Sequence, residues 1–330
     1  MKVSVVIPTK NPGRIFRDVL DRVLAQDCPW PYEVLVIDSG SSDGTQDYAR
    51  AKPGVRLHEI APEDFGHGRT RNLGASLTTS EYVAFLTHDA LPVDNAWLRA
   101  LVGALEQDPS IAGAFGRHVA YPDASPFTKR DLEVHFDRFS RQPPVVSRKT
   151  DPQRYETDQG WRQFLHFYSD NNSCLRRSVW ETLPYPDVEF AEDQIWAHRM
   201  IEAGYAKAYA PDAVVYHSHD YGVFERFQRS FDESNAFRVL FGYRLNARPV
   251  RAFLSIGYLA KRDLAFAWRN RISPFATLKR LSLDVASVSG QMVGAHAPRL
   301  PGSLRLSLSR DKRLQRSLPV TTPRWSAEEH

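Results

Sequence analysis

The sequence predicts an α/β fold: a mostly parallel central sheet with helices on both faces, followed by a C-terminal helical extension. Three observations carry that expectation. Short apolar runs alternate with helical patterns through the first half of the chain. Runs such as Val3–Ile7 and Tyr82–Leu86 contain few polar residues, as strands covered on both faces require. Beyond about residue 220 the strand patterns stop, helical stripes take over and the charge reverses. Residues 1–220 hold 24 Lys and Arg against 31 Asp and Glu, whereas residues 221–330 hold 19 against 8.

Taken in order, Val3–Ile7 reads as a strand ending at Pro8, and Ile15–Gln26 as a helix. Glu33–Ile37 is a second strand, cut by the polar loop Asp38–Thr45, with a short helix over Gln46–Ala51. Val55–Ile60 is a third strand, Gly74–Thr79 lies on a helix, and Tyr82–Leu86 is a fourth strand. Ala96–Glu106 follows as an amphipathic helix and Ala112–Val119 as a strand. Residues 121–160, rich in Pro, Arg and Asp with weak periodicity, read as a long loop or lid. Arg177–Leu183 and Glu192–Ala203 are expected helices and Ala213–Tyr216 a short strand. In the extension, Phe224, Phe227 and Phe231 share one helical face. Phe253, Ile256, Ala260, Leu264 and Ala267 share another, nearly opposite Arg251, Arg262 and Arg269, with Tyr258 and Phe266 outside the stripe. Leu278, Leu281, Val285, Val288 and Met292 form a third. Residues 297–330, rich in Pro, Ser and Arg, are expected to be poorly ordered.

Composition excludes several classes. With 42% hydrophobic and 25% charged residues the chain reads as globular. Two cysteines, Cys28 and Cys174, make no disulfide framework, and a reducing cytosol is the simplest compartment. The N-terminus lacks a signal-peptide pattern, and no stretch approaches the roughly 18 apolar residues of a membrane span. The expectation is a cytoplasmic protein, neither exported nor integral.

In parallel sheets ligands bind beyond the carboxyl ends of the strands. Those ends carry Pro8-Thr9, Asp38 and Thr87-His88-Asp89, so three polar clusters are expected on one edge. The Asp38–Thr45 loop, with Asp38 and Asp43, suits the N–H of a base and ribose hydroxyls, or is a turn that caps the next helix. Gly66–Gly74 places Arg69, Arg71 and Asn72 at a helix entry. It suits phosphate, or is a solvated basic loop, and matches neither a dinucleotide fingerprint nor a P-loop. Asp89 is a natural ligand for a hard cation, and His217 in His217-Ser218-His219 either completes that site or is structural. Glu192-Asp193 is either a helix start favoured by the macrodipole or the seat of a general base for a hydroxyl nucleophile.

In this order these clusters resemble glycosyltransferase family 2, which has the Rossmann-like GT-A fold. More narrowly, Phe65–Ala75, Phe85–Pro92, Phe190–Gln194 and Val214–His219 resemble its rhamnosyltransferase branch, and the likeness covers roughly residues 1–240. The resemblance implies a catalytic domain over 1–220, with a nucleotide-sugar half to about residue 95 and an acceptor half from 96. It implies an inverting transfer from dTDP-L-rhamnose, or a related nucleotide sugar, to a growing surface polysaccharide or lipid-linked glycan. Pro8, Thr9, Asp38 and Asp43 would hold the nucleoside. Arg71, Asn72 and His88 would lie on the donor side, Asp89 with His217 would bind Mg²⁺ or Mn²⁺, and Asp193 beside Glu192 would be the base. The sequence departs from the usual pair of acids at Thr87, which removes one carboxylate.

The basic helical extension, 221–330, then suits a peripheral contact with an anionic inner membrane surface. Alternatively its helices pack on the catalytic domain or form a homodimer interface. A nucleotidyltransferase would need a Gly-rich basic loop after the first strand, where Pro8–Pro12 stands instead. A decayed binding protein is disfavoured by the intact carboxylates, and a nucleic-acid binder by an acidic body and the lack of a groove-reading motif.

Overall fold

The computed structural model describes residues 1–188 and 190–312, and these divide into two compact units, 1–219 and 220 onward. In the first, β1 (Val3–Thr9), α1 (Ile15–Leu24), β2 (Tyr32–Asp38), α2 (Thr45–Arg50), β3 (Val55–Glu59), α3 (His67–Ser76) and β4 (Tyr82–Leu86) follow one another as expected. Then come β5 (Leu91–Pro92), α4 (Trp97–Glu106), β6 (Ile111–Val119), α5 (Pro126–Ser140), β7 (Val145–Val146), α6 (Pro152–Thr157) and α7 (Gln159–His166). The unit closes with β8 (Asn172–Arg176), α8 (Arg177–Trp180), α9 (Glu192–Glu202) and β9 (Ala206–Tyr216).

The strand order is β3-β2-β1-β4-β8-β6-β9-β5, with β7 pairing β9 off this path. The first four strands are parallel, and β6 pairs β9 in parallel. The pairings β4·β8, β6·β8, β5·β9 and β7·β9 are antiparallel, so the sheet is mostly parallel in strand direction, as expected, with β5, β7 and β8 running the other way. Of these, β8 has a polar start that periodicity did not reveal, and it runs against its neighbours in the middle of the sheet.

Alternate side chains of each strand enter separate cores. Val3, Val5 and Ile7 face Phe16, Val19, Leu20 and Val23 of α1 and Trp97, Leu98 and Leu101 of α4. Val6, Leu35, Ile37 and Phe85 face a core that includes Ala75 of α3 and Trp196, Met200 and Ile201 of α9. Each fully buried residue of this kind contributes about 1.5–3 kcal/mol, which is why both faces are filled. Gly74 lets α3 approach β1: a Cβ there would lie 2.4 Å from Val6 Cγ1.

The expected loop over 121–160 is instead largely helical. Two of its prolines begin helices: Pro126 follows Ser125, whose side chain accepts from Thr128 N, and Pro152 follows Asp151, whose side chain accepts from Arg154 N. The helix around Gly74 starts earlier, at His67, and the one from Arg177 is only four residues long.

The second unit contains α10 (Val223–Phe241), α11 (Pro249–Arg269), α12 (Pro274–Ala295) and α13 (Gly302–Leu308). Gly290 and Gly294 of α12 meet the carbonyls of Phe227 and Phe231 on α10, where a Cβ would come within 2.4 Å of each oxygen. The expected tail from 297 is thus partly helical, and residues 313–330 lie outside the described residues.

Candidate active site

The adjacent strands β2, β1 and β4 bring their carboxyl ends to one edge, where Thr9 is the register partner of Asp38. Asp38 is fully buried and its carboxylate accepts from Thr9 Oγ1 (2.9 Å), Gln46 Nε2 (2.6 Å), Ser41 Oγ (2.5 Å) and the amides of Gly40 (3.0 Å) and Ser41 (2.8 Å). Burial works against its charge, but the donors of Ser41, Gln46 and Thr9 outweigh it and hold the carboxyl below its usual range. Asp38 therefore shapes the loop as much as it faces the edge. Exposed Asp43 accepts from the Gly13 amide (2.8 Å) and Thr45 Oγ1 (2.6 Å).

Two residues that the sequence reading passed over join these loops. Lys10 Nζ donates to the carbonyls of Ser39 and Gly40, both at 2.8 Å, and Asn11, at φ 43°, accepts from the Ser42 amide at 2.7 Å. Asn tolerates that left-handed backbone, and the Asn-Pro pair after a strand was the available signal.

On the same edge, β5 pairs with β9 through Leu91↔Tyr216, so the turn after β4 meets the residues after β9. Asp89 Oδ1 lies 3.6 Å from His217 Nε2, and Asp89 Oδ2 lies 3.4 Å from His219 Nε2. These three offer ligand atoms all within 4.8 Å of one another. One carboxylate and two imidazoles suit a divalent transition ion, and His219 supplies a third donor that the sequence reading had not assigned. Beside them Thr87 Oγ1 is buried without a hydrogen-bond partner. The donor set and this orphaned hydroxyl fit an ion, despite the carboxylate missing at Thr87. His88 sits half-buried in the same turn.

A second group with the spacing for a metal, His166, His198 and Glu202, is knitted into a polar network. The Tyr155 hydroxyl bonds His166 Nε2 at 2.9 Å and also Glu202, and Arg148 pairs with Glu202 at 3.1 Å.

The carboxylates of α9 complete the edge. Thr87 N donates to the carbonyl of Asn171, which places the residues before β8 beside the Asp89 turn. Asp170 is buried there, accepting from Tyr185 Oη (2.8 Å) and Ser173 Oγ (2.7 Å). Arg71, also buried, lies between Glu192 (2.6 Å) and Asp170 (3.3 Å). Burial opposes its charge, and Asp170 and Glu192 outweigh that cost. Asp193 takes the amide of Asp170 at 3.4 Å and keeps part of its side chain at the surface. It is nonetheless ringed by protein. Burial first, then the like charges of Glu192 and Asp170, raise its carboxyl well above the usual range. Ala191, just before, holds φ 57°, a left-handed conformation costly for a residue with a Cβ.

The model of "Glycosyl transferase family 2" matches residues 4–183. The O-antigen chain rhamnosyltransferase RfbN of Salmonella typhimurium is 34% identical over 91% of this chain and 92% of its own length. The chain belongs to glycosyltransferase family 2. A second relative, the O-antigen chain rhamnosyltransferase WbaN of Salmonella anatum, is 30% identical over 90% of each chain. Among solved structures, the mannosyltransferase PcManGT of Pyrobaculum calidifontis, in complex with GDP-Man and Mn²⁺, shares the fold with a TM-score of 0.54. It is 21% identical, over 96% of this chain and 84% of its own. TarS 1–349 of S. aureus in complex with UDP follows, with a TM-score of 0.51 at 16% identity over 91% of each chain.

Within this family 2 glycosyltransferase, two expected donor contacts are engaged otherwise. Arg71 is committed to Glu192 and Asp170 rather than facing a diphosphate. Asn72 donates to the Tyr185 carbonyl (2.9 Å) and accepts from Trp180 Nε1 (2.8 Å) and the Tyr185 amide (3.0 Å). Both hold the segment leading into α9 in place. Gly68 does so as well, since a Cβ there would lie 2.2 Å from the Pro186 carbonyl oxygen and 3.4 Å from Glu192 Cβ. Asp170 was missed because a lone Asp among Ser and Asn carries no periodicity; only the fold brings it to Arg71.

Proposed function

We propose that this glycosyltransferase moves L-rhamnose from dTDP-L-rhamnose, with inversion, onto a hydroxyl of a growing surface polysaccharide or lipid-linked glycan. The observation that carries the reading is Asp193, a carboxylate raised well above its usual range and linked through Asp170 and Asn171 to the turn that carries Asp89. Two relatives named as O-antigen chain rhamnosyltransferases support the sugar.

The chain's own groups have distinct tasks. Asp193 accepts the proton of the acceptor hydroxyl as that oxygen bonds to the anomeric carbon. The bond from that carbon to the diphosphate oxygen breaks on the opposite face, which inverts the configuration. Glu192 pairs with Arg71 at 2.6 Å, and Asp170 steadies the same arginine. Pro8, Thr9, Asp38 and Asp43 frame the nucleoside. Asp89, His217 and His219 would hold Mg²⁺ or Mn²⁺, which when bound neutralises charge on the departing diphosphate. An acceptor carried on lipid would bring the enzyme to the inner face of a membrane. Among the described residues no helix is long and apolar enough to cross one.

The test is donor hydrolysis by the purified protein over a panel of nucleotide sugars, with and without Mn²⁺ or Mg²⁺. Metal-dependent release of dTDP from dTDP-rhamnose alone is the expected result. Equal turnover of other nucleotide sugars refutes the donor, and turnover unchanged by chelation refutes the metal.

A further inference from the structure

Helix α11 is arranged inside out. Of its 21 residues, those fully buried are Ala252, Asp263 and Ala267. The bulky apolar residues face outward: Phe253 is 76% exposed, Val250 72%, and Leu254 and Tyr258 well over half. The stripe expected from periodicity is therefore packed only in part, since Ala267 is buried but Phe253 and Leu264 are exposed. A buried charged cluster joins α11 to α12 through Asp263 and Arg280. Asp263 pairs with Arg262 and Arg280, both at 2.5 Å, and Arg280 pairs with Asp284 at 3.0 Å.

The exposure peaks at the turn between the two helices. Trp268 is 83% exposed and Phe275 81%, one on each side of the turn, and Leu264 and Leu278 extend the patch. An open groove of about 1050 Å³ runs along this tip. Residues 249–295 hold seven Lys and Arg against two acids, Asp263 and Asp284, and both acids are buried in the pairs just described. The charge left at the surface, on Arg251, Lys261, Arg269, Arg271 and Lys279, is all positive.

From this surface we infer that the α11–α12 hairpin tip is a wedge that enters the headgroup layer of an anionic lipid bilayer, led by Trp268 and Phe275. An aromatic pair suits the boundary between apolar chains and headgroups, and flanking Arg and Lys bind the anionic phosphates. A second copy of this hairpin would bring five cations against five, so charge selects the bilayer over self-association. The proposal stands on the hairpin alone and does not require the acceptor to be lipid-linked.

The full chain is sedimented with vesicles of equal parts phosphatidylglycerol and phosphatidylcholine, and with phosphatidylcholine alone. Wild type should partition to the anionic vesicles, less so as salt rises. The double variant Trp268→Ser/Phe275→Ser should lose about tenfold or more in partition, as expected for two interfacial aromatics. Its melting temperature and its donor hydrolysis in solution should be unchanged, because both side chains point away from the packed core. Trp268→Phe should still bind but lose a share of the tryptophan quenching by bromine-labelled lipid. No retention of wild type on anionic vesicles, or equal retention of the double variant, overturns the proposal. So does a dimer in light scattering that the double variant dissociates while vesicle binding persists, which would assign the face to a second copy. Loss of donor hydrolysis together with vesicle binding would mark a folding defect, and Trp268→Phe quenching then decides alone.

Discussion

Replacing each of the two adjacent carboxylates of α9 by its amide should change stability in opposite directions, and that contrast tests the assignment of the base. Glu192 lies 2.6 Å from the Arg71 guanidinium and both are buried. Removing one partner of a buried ion pair costs about 3–5 kcal/mol when the remaining charge is stranded. Here Arg71 keeps Asp170 at 3.3 Å and the His67 carbonyl at 3.1 Å, so Glu192→Gln loses mainly one charge-assisted bond, about 2 kcal/mol. For a domain of this size that is a fall of about 4–8 °C in melting temperature. Among the described residues Asp193 makes no ion pair, and burial, Glu192 and Asp170 oppose its charge more than Arg71 favours it. Asp193→Asn removes that opposition and should raise the melting temperature. The same change removes the base and should lower kcat about 10²–10⁴-fold. The assay is thermal unfolding together with transfer from the donor found by the panel, with both variants. A Glu192→Gln protein that melts like wild type but is inactive, beside an active Asp193→Asn protein, would refute the division of roles.

Further predictions follow from the same contacts. Because Asp170 helps to raise the Asp193 carboxyl, Asp170→Asn should move the acidic limb of the kcat/KM profile to lower pH; a limb that stays in place would remove Asp170 from that role. Gly68→Ala places a Cβ 2.2 Å from the Pro186 oxygen, and the overpacking should destabilise the protein by about 1–3 kcal/mol in denaturant unfolding, with loss of activity. His219→Ala should raise the Mn²⁺ concentration for half-maximal activity about tenfold or more, since losing even an outer-shell partner costs that much; an unchanged requirement would leave Asp89 and His217 as the sole protein ligands.

How much of this was legible in sequence depended on what each segment's neighbours are. β1, β2 and β4 were readable as short apolar runs covered on both faces, and α1 and α4 because their apolar residues meet one core. β8 was not, because its first residue, Asn172, is buried but polar. It is satisfied only in the fold, by Trp97 Nε1 at 2.7 Å and the Ala213 carbonyl at 2.8 Å. The segment 121–160 was misread although Ser125-Pro126 and Asp151-Pro152 are helix-start signals, since prolines counted as breakers outweighed prolines at the first helical position. α11 misled in the other direction: of its stripe only Ala267 is buried, and the other buried positions are Ala252 and Asp263. The strand-end edge was legible because topology alone collects the carboxyl ends of parallel strands. The partners of Arg71 were not, since they lie 99 and 121 positions away in the chain.

One cation and three carboxylates, Arg71 with Asp170, Glu192 and Asp193, cannot all be ionised in a buried cluster without excess negative charge. The cluster answers this by raising the carboxyls of Asp170 and Asp193. Asp170, like Asp193, is pushed upward, by burial chiefly, with Arg71 opposing and Glu192 adding to the rise. The sign for stability follows from linkage. A carboxyl raised in the folded state binds its proton more tightly there than in the unfolded chain, where the usual value is about 3.9. The folded state is thus favoured on the acid side, and that advantage is lost as pH rises from the unfolded value through the raised folded one. From this cluster the wild-type protein should be more stable at about pH 5–6 than at about pH 8, against the common trend for carboxylates paired with cations. In Asp193→Asn the difference should shrink, because one of the two raised groups no longer titrates. If the melting temperature of wild type instead climbs through that window, and Asp193→Asn climbs alongside it, the cluster holds no proton and Asp193 is already ionised at rest. A base that is ionised without strain would be a weaker acceptor for the hydroxyl proton, and the rate advantage assigned to it would have to come from the groups around the diphosphate.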